Sequence, residues 1–168
     1  MGCALPPTRA PTKRLLMLSG QCSCGSVTYR LSSEPMFVHC CHCYDCQRLT
    51  GSAYVLNALI ETDRIAVEGD LTEVHLPTPS GGGKVVKRCA ACGDAIYSHY
   101  LIRGSSIAFV RVGTLDEPAA CPPDVQIFTE SKQPWVPLSA DIPAFEAFYD
   151  IDELWSEESL QRRRAVVC

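Results

Sequence analysis

The residues best suited to chemistry lie in one short stretch, His39-Cys40-Cys41-His42-Cys43-Tyr44-Asp45-Cys46. Within it Cys41, Cys43 and Cys46 form a C-x-C-x-x-C run. Three thiolates this close can converge on one metal ion, whereas disulfides within C-x-C or C-x-x-C close small, strained rings. A second set lies outside the stretch, Cys22 and Cys24 upstream and Cys89 and Cys92 downstream. Zinc–sulfur bonds of about 2.3 Å place the sulfurs of a tetrahedral site roughly 3.8 Å apart, a separation that a C-x-x-C turn provides. Gly25 and Gly93 follow Cys24 and Cys92 directly, and glycine lets the backbone turn with positive φ. Joining the two pairs closes a long loop, which restricts the unfolded chain, and a structural metal contributes folding free energy outright. An iron–sulfur cluster also takes four cysteines, but C-x-C is not among its usual spacings.

Four thiolates close a tetrahedral site, while three leave a position for water or substrate. The central set therefore has two readings. In the first, zinc held by Cys41, Cys43 and Cys46 accepts an incoming thiol and favours its thiolate form. A thiolate beside a bound aldehyde is set up for carbonyl attack, giving a hemithioacetal. In the second, Cys40, His39 or His42 completes a closed structural site. Neighbouring side chains on an extended chain point to opposite faces, so Cys40 is expected to point away from the metal that Cys41 faces. His42 could orient a substrate or accept a proton, against the plainer role of a solvent-facing or supporting histidine. Arg48 could pair bidentately with a substrate carboxylate, against a surface salt bridge. Trp135, between Pro134 and Pro137, reads as a core or loop anchor. Cys3, Cys121 and Cys168 have no partners at metal spacing and read as free thiols.

The elements that must position these residues are mostly strands. Val27, Tyr29 and Leu31 alternate with Ser26, Thr28 and Arg30, which is strand periodicity. Met36-Phe37-Val38 leads into the cysteine cluster, and residues 43–49 suit a helical turn that stops near Gly51. Further strands are expected over 52–60, 64–68, 72–76, 84–88, 95–101, 106–112 and 125–129, with a flexible Pro/Gly loop over 77–83. Residues 106–112 are apolar on both faces, as in a central strand. Residues 152–164 carry acids early and Arg162, Arg163 and Arg164 late, which matches a helix dipole. The arginine run reads as a solvated helix end, not a nucleic-acid patch.

With 168 residues, the chain suits one core. Residues 1–18, with Pro6, Pro7 and Pro11, read as a flexible extension, and 19–168 as a single zinc-binding domain. A net charge of −4 argues against nucleic acid as a partner. No apolar run is long enough for a membrane-spanning helix. Eleven cysteines, odd in number and clustered, favour metal in a reducing, cytoplasmic setting over a secreted disulfide framework.

The chain resembles the glutathione-dependent formaldehyde-activating enzymes, the family that includes centromere protein V. The matching residues are Gly20-x-Cys22-x-Cys24-Gly25, Cys41-His42-Cys43-x-x-Cys46-x-Arg48-x-x-Gly51, Cys89-x-x-Cys92-Gly93 and Lys132-x-x-Trp135. The resemblance runs from about Gly20 to Phe145. It implies a mainly β fold, a β-tent of small antiparallel sheets pinned by zinc, here with a short C-terminal helix. It implies a structural zinc on Cys22, Cys24, Cys89 and Cys92, and a substrate-side zinc on Cys41, Cys43 and Cys46. The expected activity is that of a carbon–sulfur lyase joining a thiol such as glutathione to formaldehyde or another small aldehyde. The alternative is a non-enzymatic zinc-binding interaction module on the same fold. The chain departs from the family at Arg88, where an aromatic is usual, at Asp94, where a small hydroxyl residue is usual, and at the extra thiol Cys40.

Overall fold

The structure is a computed structural model and describes residues 17–167. Cys3, Cys168 and all but the end of the expected extension lie outside the described residues. Ten strands form two sheets. The smaller has three strands, β1 (Ser19–Gln21), β2 (Thr28–Leu31) and β5 (Ile65–Glu68). The larger contains β3 (Phe37–Cys41), β4 (Val55–Glu61), β6 (Leu71–Leu76), β7 (Lys84–Cys89), β8 (Ala95–Tyr100), β9 (Ile107–Arg111) and β10 (Val125–Ile127). Its order is β10-β3-β4-β9-β8-β7-β6. All pairings are antiparallel except that of β10 with β3, which is parallel. The fold is mainly β, as the sequence predicts.

The period of two explains how one large sheet serves two cores. The registers His39↔Asn57, Asn57↔Arg111 and Leu59↔Phe109 put alternate residues of β3, β4 and β9 on a common face. Ala58, Ile60, Ala108 and Val110 occupy the other face and pack with Tyr29 and Leu31 of the small sheet and with Val27 just before it. The first face carries Cys41, Val55, Leu59 and Phe109 and packs against the helices and the C-terminal segment. Residues on both faces of β9 are buried, because it lies between β4 and β8. That is the central position expected of 106–112.

Strand β3 runs into the cysteine cluster, since Cys40 and Cys41 pair with Leu56 and Val55. Helix α1 (Tyr44–Thr50) then starts at Cys43, whose sulfur accepts from the Cys46 N–H, and stops at Gly51 in the left-handed region, φ 64°. A thiolate at an N-cap meets otherwise unpaired backbone donors, and the glycine closes the C-terminus without Cβ strain.

The tail differs from the single helix expected over 152–164. It is divided into α2 (Ile151–Leu154) and α3 (Glu157–Val166). Buried Trp155 ends the first, and Ser156 starts the second by accepting from the Ser159 N–H. The arginine run is likewise not a uniformly solvated end. Arg162 donates through Nε and Nη2 to both oxygens of Glu61 (2.8 and 2.6 Å) and also reaches Glu34 O and Ser33 Oγ. Glu61 is nearly fully buried at the end of β4. Burial of a carboxylate opposes ionisation, but the Arg162 hydrogen bonds and charge outweigh it and hold Glu61 below its ordinary pKa. Such a buried, bidentate pair docks α3 in one place.

Candidate metal centres and cavity

The four-cysteine group joins the two sheets. Cys22 and Cys24 come from the turn between β1 and β2, and Cys89 and Cys92 from the β7–β8 turn. Their sulfurs all lie within 4.8 Å of one another, with Cys22–Cys24 at 3.4 Å and Cys24–Cys89 at 3.8 Å. These spacings fit one tetrahedral ion and exclude disulfides, whose sulfurs sit about 2.05 Å apart. Gly25 and Gly93 have φ of 73° and 81°, the positive values expected after each knuckle.

Two of the departures from the family pattern make hydrogen bonds here, Asp94 between the two turns and Arg88 within the β7–β8 turn. Asp94 accepts from the backbone N–H of Ser23 (2.7 Å) and from its hydroxyl. These hydrogen bonds hold the Asp94 carboxyl below its ordinary pKa. Arg88 donates to the carbonyl of Gly93 at 2.8 Å. Asp94 thus links the two turns across about seventy residues of chain.

The three-cysteine group is built differently. Cys41 ends β3, Cys43 caps α1 and Cys46 lies in its first turn, all within ligand reach of one ion. Cys41 and Cys43 sulfurs are 3.5 Å apart. The thiols share protons unequally. Hydrogen bonds from Cys41 and Cys46 pull Cys43 well below the ordinary thiol pKa, and its hydrogen bond to Cys43 raises Cys41. A divalent cation would replace those protons, since metal ligation requires thiolates.

Cys40 is not part of this group. Its sulfur lies 3.5 Å from His42 Nε2, and burial pushes its thiol up to about 11. It therefore points away from the Cys41 face, as the alternation of an extended chain requires. His42 is buried, 1% exposed, and packs at 5.3 Å from the Tyr54 ring. Of the two plain roles expected for it, the solvent-facing one is corrected, because its position at the end of β3 turns the ring inward, and the supporting one is left. His42 does not line the cavity described next.

A cavity of about 1030 Å³ opens beside the three cysteines, with Cys41, Cys43, Asp45 and Arg48 on its wall. Arg48, which the sequence singled out, is thus brought to the cluster. None of Cys22, Cys24, Cys89 and Cys92 lines it. Helix α1 is held over the sheet by Asp45, which pairs with Lys84, a lysine whose side chain is 0% exposed. Gln47 ties the same helix to the Lys132 segment, donating to Ser131 O (2.9 Å) and accepting from Gln133 Nε2 (2.7 Å). Trp135 of that segment is 75% exposed. The expected core anchor is therefore corrected, the contacts to α1 being made by Ser131 and Gln133 instead.

His39, weighed as a fourth ligand, is not grouped with the three cysteines, and other residues of the site carry no local signal. His39 lines the cavity, and its Nε2 meets the Tyr149 hydroxyl at 2.6 Å, which in turn accepts from Trp155 Nε1 at 2.7 Å. Arg111 is buried behind the cluster, with Nη1 donating to Asn57 Oδ1. Its Nε and Nη2 have no hydrogen-bond partner among the described residues. A buried guanidinium suits a neighbourhood that collects negative thiolates. Phe128 has φ 55°, the one positive value among described residues other than glycine. Such a conformation costs about 1–3 kcal/mol, and it is held by the Phe128 N–H to Ala147 O and Thr129 N–H to Phe145 O bonds. Its ring lines the cavity.

The sequence model of the glutathione-dependent formaldehyde-activating enzymes matches residues 17–131. A Halomonas elongata protein, provisionally named a glutathione-dependent formaldehyde-activating enzyme, is 25% identical over 131 residues, 74% of this chain and 83% of its own. A crystal structure of a Rhodobacter sphaeroides protein superposes with a TM-score of 0.42 at 20% identity, over 58% of this chain and 87% of that one. With the family sequence model covering well over half its length, this chain belongs to the glutathione-dependent formaldehyde-activating enzyme family.

Proposed function

We propose that this protein is a zinc enzyme that adds a thiol to an aldehyde, giving a hemithioacetal by carbon–sulfur lyase-type chemistry. Glutathione and formaldehyde are the pair in the family name. Cys22, Cys24, Cys89 and Cys92 would hold a structural zinc, and Cys41, Cys43 and Cys46 a second zinc. The observation that carries this reading is the asymmetry of the two groups: the incomplete one lies on the wall of a large cavity, and the complete one does not. The sulfur spacings fit zinc, and the setting expected for so many free thiols is the reducing cytoplasm.

The second zinc would supply a binding position that favours the thiolate form of the thiol substrate. The reaction is redox-neutral. The S–H bond of the thiol breaks, sulfur bonds to the carbonyl carbon, and the C=O π pair moves to oxygen, which takes up a proton. Arg48 has the fork geometry to hold a carboxylate of the thiol. Apolar walls limit water around the carbonyl. Lys84 and Gln47 keep α1, and with it Cys43 and Cys46, in register with β3.

The test compares adduct formation with and without protein, because the reaction also proceeds unaided. Exchange NMR with glutathione and formaldehyde should show a rate above the solution rate that vanishes in Cys43→Ser. An identical rate in buffer, protein and variant would contradict the assignment.

A further inference from the structure

The cavity is far larger than formaldehyde requires. At about 1030 Å³ it lies at the upper end of the range for drug-sized ligands. Leu59 and Phe109 reach it from β4 and β9, and Phe128, Phe148 and Trp155 from segments that follow β10. Formaldehyde has no carbon beyond its carbonyl and can cover none of this apolar surface. Of the polar lining groups, Cys41, Cys43 and Arg48 are already used by the metal and the thiol in the reading above, and Asp45 is paired with Lys84.

Two further observations point the same way. Phe128 keeps its strained left-handed backbone while its ring lines the cavity. Phe148 and Trp155, which also line it, lie beyond residue 131, the last residue that the family model matches. Trp155 is fixed by its hydrogen bond to Tyr149 and by stacking on Phe37, with ring centroids 5.0 Å apart. Phe148 stacks on Tyr149 at 4.8 Å.

We propose that this site takes aldehydes with a bulky apolar body, aromatic or medium-chain alkyl, and that Phe148 and Trp155 supply that selectivity. The inference rests on the thiol-addition reading and names its second substrate. The bonds made and broken are those given above, because the aldehyde's body takes no part in them. Burial of the apolar body discriminates, since each added methylene in an apolar pocket is worth roughly tenfold or more.

The experiment uses zinc-loaded protein with glutathione and either formaldehyde or phenylacetaldehyde, followed by exchange NMR. The kcat/KM for phenylacetaldehyde should exceed that for formaldehyde by about tenfold or more. Phe148→Ala should reduce that ratio about tenfold, with its melting temperature confirming the fold. A binding assay independent of turnover uses Trp135→Phe, which leaves Trp155 as the sole tryptophan of two. In it, 2-phenylethanol should change Trp155 fluorescence saturably and ethanol should not. Formaldehyde preferred over phenylacetaldehyde, or no saturable response to 2-phenylethanol, overturns this inference alone. No acceleration with either aldehyde overturns the thiol-addition reading and the inference with it.

Discussion

The two cysteine groups differ in how their ligands are gathered. The four-cysteine group draws two pairs from turns far apart in the chain and ties the small sheet to the large one. The three-cysteine group comes from a single strand-to-helix corner whose geometry is already fixed by β-pairing and helix capping. A metal in the first would tie together segments far apart in the chain. A metal in the second would sit in a corner that strand pairing and helix capping also fix, beside a cavity. Ligand origin thus adds a second contrast to ligand number: one group would bridge distant segments, the other lies within one local corner.

The sharpest way to break this comparison is Cys89→Ser. Intact structural zinc sites contribute on the order of 10 kcal/mol of folding free energy, so losing one ligand should lower the melting temperature by about 20 °C or more. Cys43→Ser should behave in the opposite manner. Serine is itself a preferred N-cap, so α1 should persist and the melting temperature should fall by less than about 5 °C, while thiol addition is lost. Calorimetry paired with the NMR rate assay checks both, and equal melting losses would show that both groups are structural.

A third test asks whether the region over the cavity can be loosened by itself. Arg162→Ala leaves Glu61 buried without its main partner, which should cost about 3 kcal/mol. Because Glu61 has its pKa depressed in the folded state, the stability it contributes is present above its ordinary pKa and is lost as pH falls through the depressed value. The gap in melting temperature between the native protein and Glu61→Gln should therefore be widest near neutrality and close in acid. A gap independent of pH would remove the ion pair from the account.

The smallest effect is expected at Cys40. Its sulfur neighbours His42 rather than the cluster, so Cys40→Ala should keep both metals and the activity, at a cost of about 1 kcal/mol for the vacated space. Metal analysis showing one ion lost would reassign Cys40 as a ligand.

Much of this arrangement was legible in the sequence because it is encoded locally. The strand alternation at Val27, Tyr29 and Leu31, the Cys43-to-Gly51 helix, the three-cysteine group and each pair of the four-cysteine group depend on neighbours a few residues away. What was not legible depends on distant partners. The parallel pairing of β10 with β3, the Arg162–Glu61 pair and the burial of Lys84 against Asp45 join residues far apart in the chain. The cavity is the extreme case, because its wall combines β4, β9 and the C-terminal segment. Trp135 shows the opposite failure: its size and flanking prolines suggest burial, yet no element covers it.

The central claim is that one metal site is complete and structural while the other is open and functional. A mild chelator titrated into zinc-loaded protein, with bound metal, melting temperature and thiol addition measured at each step, tests it most directly. The account predicts that one zinc leaves first, that thiol addition disappears with it, and that the fold survives until the second zinc is removed. Loss of both ions together with unfolding, or full activity after the first ion has gone, would contradict it.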